Sequence, residues 1–403
     1  MTSSIVIVGG GTAGLTVAAR LLRRTRQLHI TVIEPAEQHY YQPYWTLVGG
    51  GIVPKEASVR PMADVMPRGV HWLRDRAQHI DPDAQQITLQ SGQTLSYDAL
   101  VLAPGIQINW DAIPGLTESL GQGGVCSIYD YRQAERTWDT IRTFTGGNAI
   151  FNGAATPVKC GGAPQKIMYL AEETFRDRGV RNRSAVKFYT PGSVIFGVKE
   201  YAQALLKVVE SRDIDVQYSH TLTGIEPTRQ EATFTRPDGT GGTETFTERY
   251  DLLHVIPHMS APDFIRHSPV AATSGPLAGW IETDPYTLQH PRYPQVFALG
   301  DAAGLPGHPK TGAAIRKQAP VVVANLLSAL LGEPLSARYD GYSSCPLVTG
   351  RGKLILAEFV YDNKIKSSYP PFMDSAKERY DAYLLKRHGL PRLYWNGMLR
   401  GRA

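Results

Sequence analysis

Four consecutive apolar residues, Ile5-Val6-Ile7-Val8, form a short β-branched run that predicts a strand buried on both faces. Gly9-Gly10-Gly11-Thr12-Ala13-Gly14 follows, and beyond it the spacing predicts a helix from Leu15 to Arg24. His29-Ile30-Thr31-Val32-Ile33 predicts a second strand, which ends in Glu34. In this order of strand, turn, helix and strand, glycines at 9, 11 and 14 permit a tight turn, close approach of a pyrophosphate and close helix–strand packing. The helix N-terminus faces the anion, and Glu34 is placed to accept hydrogen bonds from a ribose diol.

The same pattern begins again at Asn148-Ala149-Ile150-Phe151, with Val186-Lys187-Phe188-Tyr189 as its second strand. Here the dinucleotide chemistry is missing. Gly153, Ala155 and Val158 hold the positions where three glycines are expected, Pro157 stiffens the turn, and Thr190-Pro191 stands where an acid or an Arg is needed. Nicotinamide binding is therefore disfavoured. A helix starts at Ala163-Pro164, with Ile167, Met168, Leu170, Ala171 and Phe175 as its apolar face.

FAD and NAD both fit the first unit, and two later segments favour FAD. Tyr97 to Gly105 is an apolar strand closed by a glycine turn, and it resembles the strand with which flavoprotein FAD domains hand the chain to a second domain. Gln295 to Ala303 resembles the returning segment, with Asp301 placed for the ribityl chain; as a residue it also suits a helix N-cap. Thr311 then opens a helix through Lys317 and Gln318, whose positive end suits a reduced, anionic flavin; an ordinary surface helix start is the other reading of Lys317.

At 403 residues the chain is long enough for two domains and an extension. The expected fold class is α/β: an FAD domain (1–110 and 285–335), a degenerate NAD-type Rossmann-like domain (111–284) and a C-terminal region (336–403). No apolar run approaches the roughly 18 residues of a spanning helix. The N-terminus has no charged and apolar leader, so no signal peptide is expected. Of the net charge of +5, residues 351–403 carry 11 Lys/Arg against 5 Asp/Glu, or +6, leaving −1 for the remainder. A helix is predicted from Asp374 or Ser375 to His388, stopped by Gly389 and Pro391, and a second apolar and basic segment follows through Tyr394, Trp395, Met398 and Leu399. This composition suits an interfacial membrane segment, or a stripe docked on the body of the protein. No nucleic-acid recognition module accompanies the charge, so no nucleic acid is expected. Phe359, Tyr361, Phe372, Tyr383 and Tyr394 are candidates to line a quinone pocket.

Only three cysteines are present, too few for a disulfide scaffold. Cys160 lies just ahead of the Ala163 helix with Lys159 and Lys166 nearby, a setting that favours thiolate; a buried inert thiol is the alternative. Cys345 lies 185 residues away in Ser343-Ser344-Cys345-Pro346, so only the fold can join them.

Together these segments resemble the sulfide:quinone oxidoreductases, in the branch that includes the mitochondrial enzyme, within the FAD-dependent pyridine nucleotide-disulfide oxidoreductases. The resemblance runs through Glu34-Pro35, His39 to Gly49, Thr156 to Cys160, Pro164 to Leu170, Ser344 to Gly350, Ile355 to Phe359 and Leu393 to Asn396. It implies a redox pair of Cys160 and Cys345, with a persulfide on Cys345, and Lys166 and Lys386 near the sulfur. It implies FAD held by Gly9, Gly11, Gly14, Glu34 and Asp301, and the residues themselves add Pro43, Gly105, Lys317 and Gln318 as candidates around the cofactor. It implies hydrogen sulfide as donor, ubiquinone or a related quinone as acceptor, and glutathione, sulfite or another small molecule as sulfur acceptor. A peripheral location is implied too, on the cytoplasmic face of a bacterial inner membrane, with homo-oligomerisation open. Pro104 and Arg316-Lys317 depart from the family pattern near the flavin, and Cys126 is read as non-catalytic. The competing readings are a type II NADH:quinone dehydrogenase and a non-enzymatic redox sensor.

Overall fold

The computed structural model describes residues 2–307 and 309–403. Five parallel strands make the first sheet, in the order Val296–Ala298, Ala99–Leu102, Ser3–Val8, Leu28–Ile33 and His71–Leu73. Its strand interiors are apolar without alternation because a parallel sheet is covered on both faces. Ile5, Ile7, Val32, Leu100, Val101 and Phe297 are all fully buried. The helix Thr12–Arg24 connects the first two strands in chain order, starting three residues earlier than the spacing predicts.

A second five-stranded parallel sheet has the order Val125–Cys126, Leu252–His254, Gly147–Asn152, Ser184–Thr190 and Asp215–Tyr218. The helix Ala163–Asp177 follows its central strand and is buried along most of its length. Between the sheets, Gln107–Asn109 pairs antiparallel with His258–Ser260, so departure and return of the chain lie side by side. The return comes near residue 261 rather than 285. Ala261, Ile265, Val270, Trp280 and Ile281 all pack in the core of the first sheet.

The C-terminal region is a fastening between the two cores rather than an appendage. Ser343–Gly350 and Lys353–Phe359 form an antiparallel hairpin. Its Cys345, Leu347, Ile355, Ala357 and Phe359 pack in the second core, whereas Val348, Leu354 and Leu356 pack in the first. That division follows from the alternation of side chains along a strand.

The tail differs from its sequence reading. Asp374 accepts a hydrogen bond from the Ala376 amide (2.8 Å), but the hydroxyl of Ser375 is engaged by Tyr201 (3.0 Å) and the helix starts only at Tyr380. It does not stop at Gly389. A π-turn over Leu385–Gly389 leads straight into a helix at Leu390–Asn396, with Pro391 in its first turn, where a missing N–H costs nothing. Tyr383, Tyr394, Trp395, Met398 and Leu399 are buried in the first core, so this part of the stripe docks on the protein. Among the described residues no helix is long and apolar enough to cross a membrane.

Candidate active site

The first turn is shaped by what cannot fit there. A Cβ on Gly14 would lie 1.8 Å from the Gly9 carbonyl oxygen, and one on Gly9, at φ +100°, 2.3 Å from the Ala103 oxygen. A Cβ on Gly11 meets nothing within 4 Å, so the backbone there is bare toward open space at the head of the helix. The Gly10 amide donates to Glu34 Oε2 (2.7 Å) and the Ala36 amide to Oε1 (2.8 Å), which fixes the carboxylate at the end of its strand. Gly105 is left-handed (φ +78°) and also faces open space. A bare amide-rich cradle, a helix start and an adjacent carboxylate match the needs of a dinucleotide's diphosphate and ribose.

Across from this turn the chain returns through Asp301, whose carboxyl burial pushes up against the pull of Lys310 and Lys159. Lys310 Nζ donates to the Asp301 carbonyl (2.5 Å) and to that of Ala303 (3.3 Å), and lies 3.6 Å from the centre of the Trp280 ring. Thr311 caps the helix Gly312–Leu330 through its hydroxyl, which accepts from the Ala314 amide. Gln318 is buried and accepts from the Gly300 amide (3.0 Å). Lys317, one position away, is exposed, with its ammonium 5.8 Å from the Tyr342 ring centre. It therefore stands on the solvent side of its helix, not on the buried side with Gln318. Pro43 is exposed beside the start of this helix, and its carbonyl accepts from Lys386 Nζ (2.9 Å).

The two cysteines meet at the start of the helix Ala163–Asp177. A Cβ built on Gly162 would lie 2.6 Å from Cys345 Sγ, so only glycine leaves room for that sulfur. Cys160 is held in the left-handed region at φ +57°, where a residue with a Cβ is strained. Its amide donates to the Lys310 carbonyl (2.7 Å), which ties the cysteine loop to the segment after Asp301. Lys166 Nζ lies 3.1 Å from Cys160 Sγ. Neither cysteine is in a disulfide.

Their electrostatics are opposed. A hydrogen bond from the Cys345 thiol, followed by the charge of Lys166, holds Cys160 well below the ordinary thiol range. The same bond and burial push Cys345 well above it. The thiolate raises Lys166 in spite of burial, whereas burial and the neighbouring Lys166 push Lys386 down to about 7. The arrangement favours a thiolate on the half-buried Cys160, a thiol on the buried Cys345 and a charged Lys166 beside them.

Cys126 stands apart. It is fully buried, its thiol is pushed up to about 12 by desolvation, and Thr137 is its hydrogen-bond partner.

The turn of the second unit is tied down by its own side chains. A Cβ on Gly153 would be 2.7 Å from Thr190 Oγ1, the Ile256 amide donates to Asn152 Oδ1 (2.8 Å), and the Met259 amide donates to Thr156 Oγ1 (2.8 Å).

The five aromatic residues read as a quinone pocket do not line one cavity. Phe359 packs against Phe196 in the second core, Tyr361 against Tyr286 and Tyr339, and Tyr383 stacks on Tyr380. Tyr394 bonds to Thr12 at the first turn, and Phe372 is 86% exposed. Aromatic residues between periodic segments carry no sequence signal for which core they join. Tyr129, whose hydroxyl donates to the Cys160 carbonyl (3.4 Å), escaped the sequence reading because its partner lies 31 residues along the chain; Lys310 escaped because a lone lysine in a loop carries no pattern.

The Pyridine nucleotide-disulphide oxidoreductase family model matches residues 3–154. The chain is 43% identical over 397 residues to the protein named "Sulfide:quinone oxidoreductase, mitochondrial" of Mus musculus, covering 98% of this chain and 86% of the relative. It is 41% identical over 402 residues to the protein of the same name from Dictyostelium discoideum, covering 99% and 86%. The structure superposes on that of the sulfide:quinone oxidoreductase of Aquifex aeolicus with a TM-score of 0.80 at 22% identity, covering 99% of this chain and 92% of that one. Both curated relatives are mitochondrial by name, so the bacterial membrane face expected from the sequence finds no support in them. On near-complete relatives at this level of identity, the chain belongs to the sulfide:quinone oxidoreductase family.

Proposed function

We propose that this protein oxidises hydrosulfide at the Cys160–Cys345 pair and delivers the electrons through FAD to a quinone. One observation carries the reading: two thiols 185 residues apart converge beside a buried ammonium, with one of them held as thiolate.

In the oxidised enzyme hydrosulfide attacks Cys345 Sγ, breaking the disulfide to give a persulfide on Cys345 and a thiolate on Cys160. Lys166 is already in place to hold that leaving thiolate, so no charge has to be gathered during the step. A nucleophilic acceptor then takes the outer sulfur, leaving a thiolate on Cys345. Gly9, Gly11, Gly14, Glu34 and Asp301 would hold FAD, which would supply the sink for the two electrons released as the thiolates close to a disulfide and the route by which they reach quinone. The loop bond from Cys160 to Lys310 keeps the sulfur beside the Asp301 segment that would line the cofactor.

Contact with the membrane falls to the first part of the tail. Phe372 (86% exposed), Tyr380 (64%), Leu384 and Leu385 are exposed apolar side chains beside Arg379 and Arg387. Such a group suits the boundary of an anionic bilayer. The NADH dehydrogenase reading is disfavoured by Ala155 and Val158 in place of glycines and by Thr190-Pro191 in place of an acid or an Arg.

Anaerobic addition of sulfide should bleach the flavin, and a short-chain quinone should restore it. Cys160→Ser and Cys345→Ser should each bind FAD but not bleach. Retained bleaching in either variant, or bleaching by NADH and not by sulfide, would overturn the assignment.

A further inference from the structure

A chain of hydrogen bonds joins the C-terminal helix to the first glycine turn. Tyr394 Oη lies 2.5 Å from His39 Nε2 and 2.9 Å from Thr12 Oγ1, and His39 Nδ1 lies 3.0 Å from the Gly10 carbonyl oxygen. Only one arrangement of protons satisfies all three contacts. A carbonyl can only accept, so His39 Nδ1 carries the proton; burial keeps the imidazole neutral, pushed down to about 4, so Nε2 is bare. Tyr394 must then donate to Nε2, and the Thr12 hydroxyl must donate to Tyr394. The relay thus runs from Thr12 through Tyr394 and His39 back to the Gly10 carbonyl, and so ties both sides of the turn to the tail. Gly10 and Thr12 flank Gly11, whose backbone is bare toward open space.

The rest of the tail lies against the helix Thr12–Arg24 and the short helical turn Met62–Val65. A Cβ on Gly401 would fall 2.8 Å from the Ala19 carbonyl, Arg20 bonds to the Ala403 carbonyl, and Arg400 bonds to that of Asp64 (3.1 Å). Trp395 packs edge-on against the His39 ring and beneath Arg60, which fixes the relay from the side.

We propose that Tyr394, acting through Thr12 and His39, is a positioning residue for the diphosphate of the cofactor, so that the C-terminal segment clamps the FAD-binding turn. This rests on FAD binding at that turn. Removing the phenol oxygen leaves a bare His39 nitrogen buried without a partner and releases the half-buried Thr12 hydroxyl, which frees the turn to reorient, while the aromatic ring still fills the core.

The test follows FAD release from purified holoenzyme by the gain in flavin fluorescence, together with the FAD dissociation constant of the apoprotein. Tyr394→Phe and Thr12→Val should each weaken FAD binding about tenfold. The double variant should be no weaker than either single variant, and Thr12→Ser, which keeps the hydroxyl, should bind as the wild type does. Leu399→Val, a cavity in the same tail away from the relay, should lower the melting temperature without changing FAD affinity. The clamp is overturned if Tyr394→Phe and wild type hold FAD equally well, if Leu399→Val loses FAD as readily, or if the two relay substitutions simply add. A wild-type protein that binds no FAD would overturn the clamp and the proposed function together.

Discussion

Replacing Lys166 by Met removes the one ammonium hydrogen-bonded to Cys160 Sγ, while a side chain of similar length still fills the space. The contact is 3.1 Å long, Lys166 is 3% exposed and Cys160 is half-buried, so water and salt screen it only in part. A hydrogen bond from a charged group in such a setting contributes about 1.5–3 kcal/mol. At 1.36 kcal/mol per pH unit, the titration midpoint of Cys160 should rise by about one to two units. The bond from Cys345, the larger cause of the depression, remains in the variant, so Cys160 should still titrate below an ordinary thiol. The assay is alkylation of the anaerobically reduced protein by iodoacetamide across pH, with the Cys160 and Cys345 peptides quantified separately. Below its midpoint, each unit of upward movement cuts the thiolate fraction tenfold, and alkylation of Cys160 falls with it. Lys166→Arg keeps the charge and should stay near the wild-type curve. An unmoved Cys160 midpoint in Lys166→Met, or a Cys345 peptide that alkylates at lower pH than Cys160, would refute this account of the pair.

Gly11→Ala should fold with an unchanged apoprotein melting temperature, because its Cβ meets nothing and its φ of −75° suits alanine, yet bind FAD at least about tenfold more weakly by filling the cradle; equal FAD affinity would mean the diphosphate lies elsewhere. Gly14→Ala, with its Cβ 1.8 Å from the Gly9 oxygen, should instead destabilise the fold itself by about 1–3 kcal/mol in denaturant melts. Lys386 titrates near 7 in the fold against 10.5 ordinarily, so between those values the unfolded chain holds a proton that the folded chain lacks, and wild-type stability gains with rising pH. Lys386→Met should therefore be more stable than wild type below pH 7 by on the order of a few kcal/mol, with the advantage fading toward pH 10.5; a pH-independent difference would contradict the burial cost. Serine at both Tyr380 and Leu384 should reduce co-sedimentation with anionic liposomes at least about tenfold without releasing FAD, and unchanged sedimentation would remove the tail's first helix as the lipid contact.

The parts of this protein that could be read early are those whose reasons are local. The glycine turn, Glu34 and the helix at Ala163 each announce themselves in a short stretch of sequence, through glycine spacing, the end of a strand and a proline in the first helical turn. The meeting of Cys160 with Cys345 has no local cause; it depends on where a hairpin 185 residues away is laid, and only the family resemblance anticipated it. Lys317 and Gln318 show the limit at its sharpest. A helix turns about 100° per residue, so adjacent positions occupy opposed environments, one exposed and one buried against Gly300. The tail was ambiguous for a related reason: an apolar and basic stripe has the same periodicity whether it meets lipid or the protein's own first helix. The structure divides it, with Tyr380, Leu384 and Leu385 outward and Tyr394 to Leu399 inward. Gly389 misled as a stop because a π-turn absorbed it.

The hairpin that delivers Cys345 gives the redox site a parity. Odd positions 345 and 347 look toward the second core and position 348 toward the first, with Cys345 held opposite Ala357. Deleting or inserting one residue within Ser343–Cys345 would therefore not nudge the sulfur by a fraction of its reach; it would turn it to the other side of the ribbon, away from Gly162. Length changes at the Arg351-Gly352 turn leave that count untouched. Within this lineage, drift in length should accumulate at the turn and be purged from the strand, and an engineer grafting new loops should insert at the tip and count in pairs anywhere below it.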